Sequence, residues 1–298
     1  MPAKGDEPAV VTQFIRKVRG GSQAFLAMAS DGEIYVVKNR NNAQGPNLLF
    51  NECMGSELYR IAGLAVPRWR LLRLTAQFIE NNPRCWIETP AGCVRPRAGL
   101  CFGSRFAGGH SAPLFEILPA SSFLRIRNRS DFWLAWLLDI CAGHADNRQA
   151  IFRQDRQGRY NAIFIDHGHM FCSPRGNLKP HLVASRYYLD PRIYPNVCSD
   201  IVKILRTKTR RFDCEGLWAR LPTVPDEWMT HSAITNFTRC LHTLSDSRLI
   251  ENSIEAITSS HCPDAELRRN DAERGRQCNH SILRCGIQNE RNGFSLCA

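Results

Sequence analysis

Two acids constrain this chain more than any other feature. Asp146 closes His144-Ala145-Asp146, in a polar loop (Ala142 to Gln149) after the most apolar helical stretch, Phe132 to Cys141. Asp166 follows the apolar run Ile163-Phe164-Ile165 and precedes His167-Gly168. Between them lie two expected strands, Ala150 to Arg153 and Tyr160 to Ile165, joined by the Asp155–Gly158 turn. An acid at the end of an apolar strand, followed by glycine, is well placed to bind metal in a cleft. An acid in the preceding loop can then act as a base. Ser130 or Asp131 begins the apolar helix.

The first 110 residues have a different texture. Val10 to Ile15, Ala24 to Ala29 and Glu33 to Lys38 are short β-forming runs punctuated by Gly20-Gly21 and Ser30-Asp31-Gly32. They predict an antiparallel meander. Asn47 is placed to cap a helix running to about Ile61, with Leu48, Leu49, Met54, Leu58 and Ile61 at helical spacing. Gly63 and Pro67 end it. Val66 to Leu74 and Leu100 to Phe106 read as strands, and residues 81–98 as loop. Beyond them, Phe115 to Arg127 reads as helical. From Asp200 onward the pattern is mainly helical, ending in Trp228 to Leu244 and Leu249 to Ile257. Residues 259–298 are polar and aperiodic, and we expect poor order there.

Phosphoryl transfer needs a turn that brings backbone N–H groups to phosphates, a lysine held by an acid, carboxylates for magnesium and a base. Candidates occur in that chain order. Gly20, Gly21, Ser22 and Gln23 lie between the first two strands, and Ser22 adds a hydroxyl donor. Lys38 ends the third strand on the face of Val36, opposite Val37. Glu52 sits on the following helix, where it can pair with Lys38. Each is ordinary when taken alone; their order gives them weight.

The series Gly20-Gly21-Ser22-Gln23, Val36-Val37-Lys38, Asn51-Glu52, Gly63-Leu64-Ala65-Val66-Pro67, His144-Ala145-Asp146 and Ile165-Asp166-His167-Gly168 resembles the HipA-like kinases, relatives of protein and phosphatidylinositol kinases. The resemblance covers residues 10–255. It implies an α+β, two-lobed kinase-like fold: a small antiparallel β-rich N-lobe (10–110) over a mainly helical C-lobe (111–258), flanked by a flexible start (1–9) and the tail. It implies ATP and Mg2+ in the cleft and a serine/threonine hydroxyl on a protein as acceptor. Lys38 would meet the phosphates, Glu52 would orient it, Asp146 would be the base and Asp166 the metal ligand. Phe102 to Phe106 would lie near the adenine. One departure stands out: five positions after Asp146, where such kinases carry a second metal ligand, this chain has Ile151, which cannot bind metal. Asn147 or Gln149 is near enough to compensate, and we take Gln149 as the candidate. A pseudokinase, a nucleotide-binding or interaction module without turnover, is therefore the alternative reading.

Composition narrows the rest. With 43% hydrophobic and 22% charged residues, the chain is globular rather than disordered throughout. A formal net charge of +11 favours polyanionic partners. Its densest cluster, Lys203, Arg206, Lys208, Arg210 and Arg211, reads first as a solvated helix end or loop, with a nucleic-acid surface as the less favoured alternative. Thirteen cysteines without a CxxC pair, and a polar N-terminus, point to buried thiols in a reducing, cytoplasmic compartment. No stretch is long and apolar enough to span a membrane. His144, Asp146, Asp166, His167 and His169 keep a metal-dependent phosphohydrolase as a third reading. In the tail, His261, Cys262, Cys278, His280 and Cys285 raise a zinc site, but their spacings match no standard finger.

Overall fold

The computed structural model describes residues 7–89, 91–108, 113–177 and 190–259. The tail from 260 on, with its cysteines and histidines, lies outside the described residues.

Strands β1 (Ala9–Lys17), β2 (Phe25–Ala29), β3 (Ile34–Lys38), β4 (Trp69–Leu74) and β7 (Gly99–Arg105) close into a barrel in the order β1-β2-β3-β7-β4. Most pairings are antiparallel, as expected of a meander. The closure is not: β1 runs parallel to β4, with Ala9 opposite Leu72 and Val10 opposite Arg73. Closure removes the free edges that an open meander would expose. It also seals a small core containing Val11, Phe25, Val37, Leu72 and Cys101.

Helix α1 (Leu48–Ile61) interrupts the barrel in sequence but does not belong to its core. Leu48, Phe50, Met54 and Leu58 pack instead with Phe132, Trp133, Phe164, Phe171 and Phe237 in a second, larger cluster. Every residue from Leu48 to Tyr59 is buried, so the helix carries its polar groups inside as well. Asn47 begins α1 without a side-chain cap; it bonds instead to Thr230 and Ser232. Gly63 takes φ +80° just after the helix end, as a terminating glycine does.

Residues 81–98, expected as loop, hold structure. Thr75 caps a short helix α2 (Ala76–Asn81) by accepting from Phe78 N. A 3₁₀ turn (Pro83–Cys85) and a hairpin of β5 (Ile87–Thr89) with β6 (Gly92–Val94) follow. Residues 115–127 are not an α-helix: they give the end of β8 (Leu114–Phe115) and a 3₁₀ segment (Ala120–Arg125). Pro119 accounts for this, since it supplies no N–H and disfavours helix at Leu118.

The second part follows the sequence closely. Helix α3 (Asp131–Ala142) ends at Gly143, which takes φ +61°. Strands β9 (Gln149–Gln154) and β10 (Tyr160–Ile165) pair antiparallel, with β8 on the outer edge of β9. Asp155 Oδ1 accepts from Gln157 N and Arg159 N and so shapes the intervening turn. Then come α4 (Ser199–Arg210), α5 (Cys214–Trp218), α6 (His231–Ser245) and α7 (Ser247–Ser259). Helix α6 starts at His231 rather than Trp228 because the Thr230 hydroxyl caps Ala233 N.

The basic cluster lies exposed on and just beyond α4, where Arg206 pairs with Glu251 and Lys208 reaches the Ala62 carbonyl. All nine described cysteines are free, and six are buried. Among the described residues no helix is long and apolar enough to cross a membrane.

Candidate active site

A cavity of about 230 Å³ lies between the barrel and the β8-β9-β10 sheet. Ala24, Leu26 and Val36 line it from the barrel, and Leu114, Ile151 and Ile165 from the sheet. Phe102, Ser104 and Phe106 close one side; Gly20, Gly21 and Ser22 lie at another. Lys38, Glu52, Asp146, Gln149 and Asp166 share the same cavity.

Lys38 reaches it as strand alternation requires. Val37 is fully buried in the barrel core, while Val36 and Lys38 face the cleft. A strand-end lysine is usually solvated, yet Lys38 is only 6% exposed. Its ammonium forms a short ion pair with Glu52 Oε1 and donates to Asp166 Oδ1 at 2.8 Å. Burial opposes that charge, but the Asp166 and Glu52 carboxylates more than offset it and keep the lysine protonated. Burial likewise disfavours a charged Asp166, and the Lys38 ammonium overrides it, holding the carboxyl below its ordinary range. Glu52 Oε2 also accepts from His167 N at 3.4 Å, which ties α1 to the turn after β10.

That turn is unusual. Asp166 takes φ +60°, a left-handed conformation that costs a non-glycine residue about 1 kcal/mol or more. Phe171, Cys172 and Ser173 repeat it, at φ +52°, +64° and +82°. The surroundings hold the segment in place. Asn51 Nδ2 donates to the carbonyls of Gly168 (2.9 Å) and Met170 (2.7 Å). Cys172 N donates to Gly143 O at 3.0 Å. Helix α1 comes so close that a Cβ on Gly168 would sit 2.8 Å from Glu52 Oε1, and one on Gly55 would sit 2.6 Å from Met170 Sδ. Glycine is needed on both sides of this contact.

Gln149, the first residue of β9, donates from Nε2 to Asp166 Oδ2 at 2.8 Å. Ile151, two residues on, lines the apolar part of the cavity instead. So the amide nearest Asp166 comes three residues after Asp146, not five. Asp146 itself is exposed at the cleft, and its Oδ1 accepts from Asn147 N at 2.7 Å.

Gln23 is the one proposed site residue that the structure keeps out of the cavity. Its side-chain amide bonds to both Glu88 N and Glu88 O (2.6 and 2.5 Å), so it fastens the glycine turn to the β5–β6 hairpin. The sequence expects loop at that hairpin, and so offers Gln23 no partner there. The histidines also resolve differently from a hydrolase centre. His144 Nδ1 lies 2.6 Å from Asp146 O, His167 packs on Tyr59, and His169 meets Gln44. Among the described residues no three His, Cys, Asp or Glu side chains are grouped to hold a metal ion.

The fold and cleft define a kinase-like architecture. Two solved structures share it. A proinflammatory kinase of Helicobacter pylori, CtkA, superposes with a TM-score of 0.57 over 84% of this chain and 98% of its own, at 12% identity. A hydra Fam20 protein solved with sugar gives 0.52 over 85% and 88%, also at 12% identity. The HipA-like kinase family model matches residues 11–116, so the resemblance read from the motifs holds over that stretch. It contains the glycine turn, Lys38, Glu52 and Gly63 to Pro67, and ends before Asp146 and Asp166. No curated protein matches the sequence.

Proposed function

We propose that this chain is an ATP-dependent phosphotransferase of the HipA-like serine/threonine kinase type, acting on a protein hydroxyl. One observation carries the reading: Lys38 bridges Glu52 and Asp166 in a cleft that also holds the glycine turn, with the Gln149 amide against Asp166.

The donor set suits magnesium, a hard cation that commonly takes one or two protein oxygens and completes its shell with phosphates and water. Asp166 and the Gln149 amide oxygen would hold it, after rotation of the amide away from its present bond. Bound there, the ion would neutralise phosphate charge during transfer. The chain's own groups do the rest. The apolar walls at Leu26, Val36, Ile151 and Ile165 take the base. Gly20, Gly21 and Ser22 offer N–H and hydroxyl donors to the phosphates. Lys38, oriented by Glu52, pairs with them. Asp146 accepts the proton of the attacking hydroxyl as its oxygen bonds to the γ-phosphorus and the bond to the ADP oxygen breaks.

The Gln149 amide beside Asp166 favours turnover over a pseudokinase. The test is a magnesium-ATP thermal shift on wild type, Lys38→Met and Asp166→Asn, followed by transfer of labelled phosphate. At 100 times Kd, binding should add about 2.7 kcal/mol of stability to wild type alone. A shift without labelled product would establish the pseudokinase. No shift in any of the three would reject the nucleotide cleft.

A further inference from the structure

Arg148 lies between Asp146 and Gln149 in sequence, yet its side chain is sealed from solvent. Nothing in the proposed chemistry uses it. Its Nε and Nη2 donate to Asp139 Oδ2 and Oδ1 at 2.9 and 2.8 Å, a bidentate pair in which both side chains are fully buried. Nη1 turns the other way. It donates to Ile165 O at 2.7 Å and lies 3.5 Å from Asp166 O and 3.3 Å from His167 Nδ1. The guanidinium therefore grips the backbone on both sides of the left-handed Asp166. Tyr59 of α1 completes the arrangement: its ring lies 4.8 Å from the guanidinium carbon, and its hydroxyl donates to Asp139 Oδ1 at 2.7 Å.

A sealed ion pair is a poor way to gain stability. Removing both charges from water costs so much that well-packed apolar residues of similar volume often do as well or better. The planar fork does supply fixed orientation, which neither an apolar pair nor a lysine can reproduce. Here it joins four pieces of the candidate site. Asp139 comes from the last turn of the apolar helix α3, Tyr59 from the helix that carries Glu52, Arg148 from the Asp146 loop, and the carbonyls from the Asp166 turn.

Resting on the phosphotransferase reading, we propose that Arg148 and Asp139 are positioning residues that hold the Asp166 turn in its left-handed conformation and keep Asp166 and Gln149 facing each other. They touch no substrate. Their effect runs through the carboxylate and amide that would hold magnesium.

The experiment compares the full-length wild type with Arg148→Lys and with the apolar pair Asp139→Leu/Arg148→Met. Amide hydrogen exchange over Asp166 to Met170 is read without ligand. ATP affinity is then measured with and without magnesium. We expect both variants to fold, with exchange over that segment raised by about tenfold or more. The gain in ATP affinity conferred by magnesium should fall by about 10–100-fold. Affinity for ATP alone should stay near wild type, because the apolar walls are untouched. A folded variant with wild-type exchange and an undiminished magnesium effect overturns the proposal. Should the apolar pair not fold, Arg148→Lys decides by the same two readouts. If wild type binds no ATP, the phosphotransferase reading falls, and exchange alone decides whether Arg148 holds the turn.

Discussion

The two hydrophobic cores of this protein divide the candidate site unequally. The barrel core contributes Lys38 and the glycine turn. The larger core contributes Glu52, Asp146, Gln149 and Asp166, because α1 packs into it despite lying between barrel strands in the sequence. The Lys38–Glu52 pair thus spans two packing units, whereas Arg148–Asp139 lies wholly within one. The comparison teaches that chain order does not decide which body a side chain moves with; the apolar stripe of its helix does. Leu48, Phe50, Met54 and Leu58 assign Glu52 to the acids.

Four outcomes would sharpen or break this division, starting with the largest. Lys38→Met and Asp166→Asn should each lower phosphate transfer by about 100-fold or more, read as labelled product. They should differ without ligand. Lys38→Met strands the buried Glu52 and should cost about 3–5 kcal/mol in chemical denaturation. Asp166 is 28% exposed to the cleft, so Asp166→Asn should cost clearly less. Equal losses would contradict the spanning pair.

Next come the cores themselves. Phe50→Ala, which opens the Phe50–Phe171–Phe237 cluster, should cost about 3–5 kcal/mol, and Leu72→Ala in the barrel about 2–5 kcal/mol. If the ion pair and cleft contacts couple the cores, calorimetry will show one transition that both substitutions move. A barrel that melts by itself under Leu72→Ala would break the picture of a coupled pair.

A pH profile should separate them further. Burial first, and the Arg148 charge second, hold His144 and His167 below the ordinary imidazole value of 6.5. The folded state keeps them neutral while the unfolded chain takes up protons, so stability is present above 6.5 and lost as pH falls below it. The barrel strands contain no histidine. The melting temperature should therefore drop between pH 7.5 and 5.5, and His144→Gln should flatten part of that slope. An unchanged slope in His144→Gln would remove that residue from the account. Smallest of all, Gln23→Ala frees the glycine turn from the hairpin and should cost about 0.5–1.5 kcal/mol, seen as faster amide exchange over Gly20 to Ala24.

Legibility in the sequence followed the range of the interactions. Strands β9 and β10 were readable almost to the residue, because short apolar runs on either side of the Asp155–Gly158 turn are local signals. Helix α3 was readable for the same reason. The short β5–β6 hairpin was missed where Pro, Arg and Cys masked a weak alternation, and with it the partner of Gln23. A charge inside the most apolar helix, Asp139, demands a buried partner, and Arg148 nine residues on is the one it finds, but nothing local in the sequence names that pairing.

By itself, then, the sequence determined the order of the elements, the cleft-facing side of Lys38, and the strand that delivers Asp166, since each depends on neighbours a few residues away. Only the tertiary structure decided that the barrel closes through a parallel β1–β4 pair, that Glu52 belongs with the acids, that Gln149 rather than residue 151 meets Asp166, and that Arg148 grips the turn. Those outcomes depend on side chains distant in the chain competing for the same buried volume and the same hydrogen-bond partners, which no local period records.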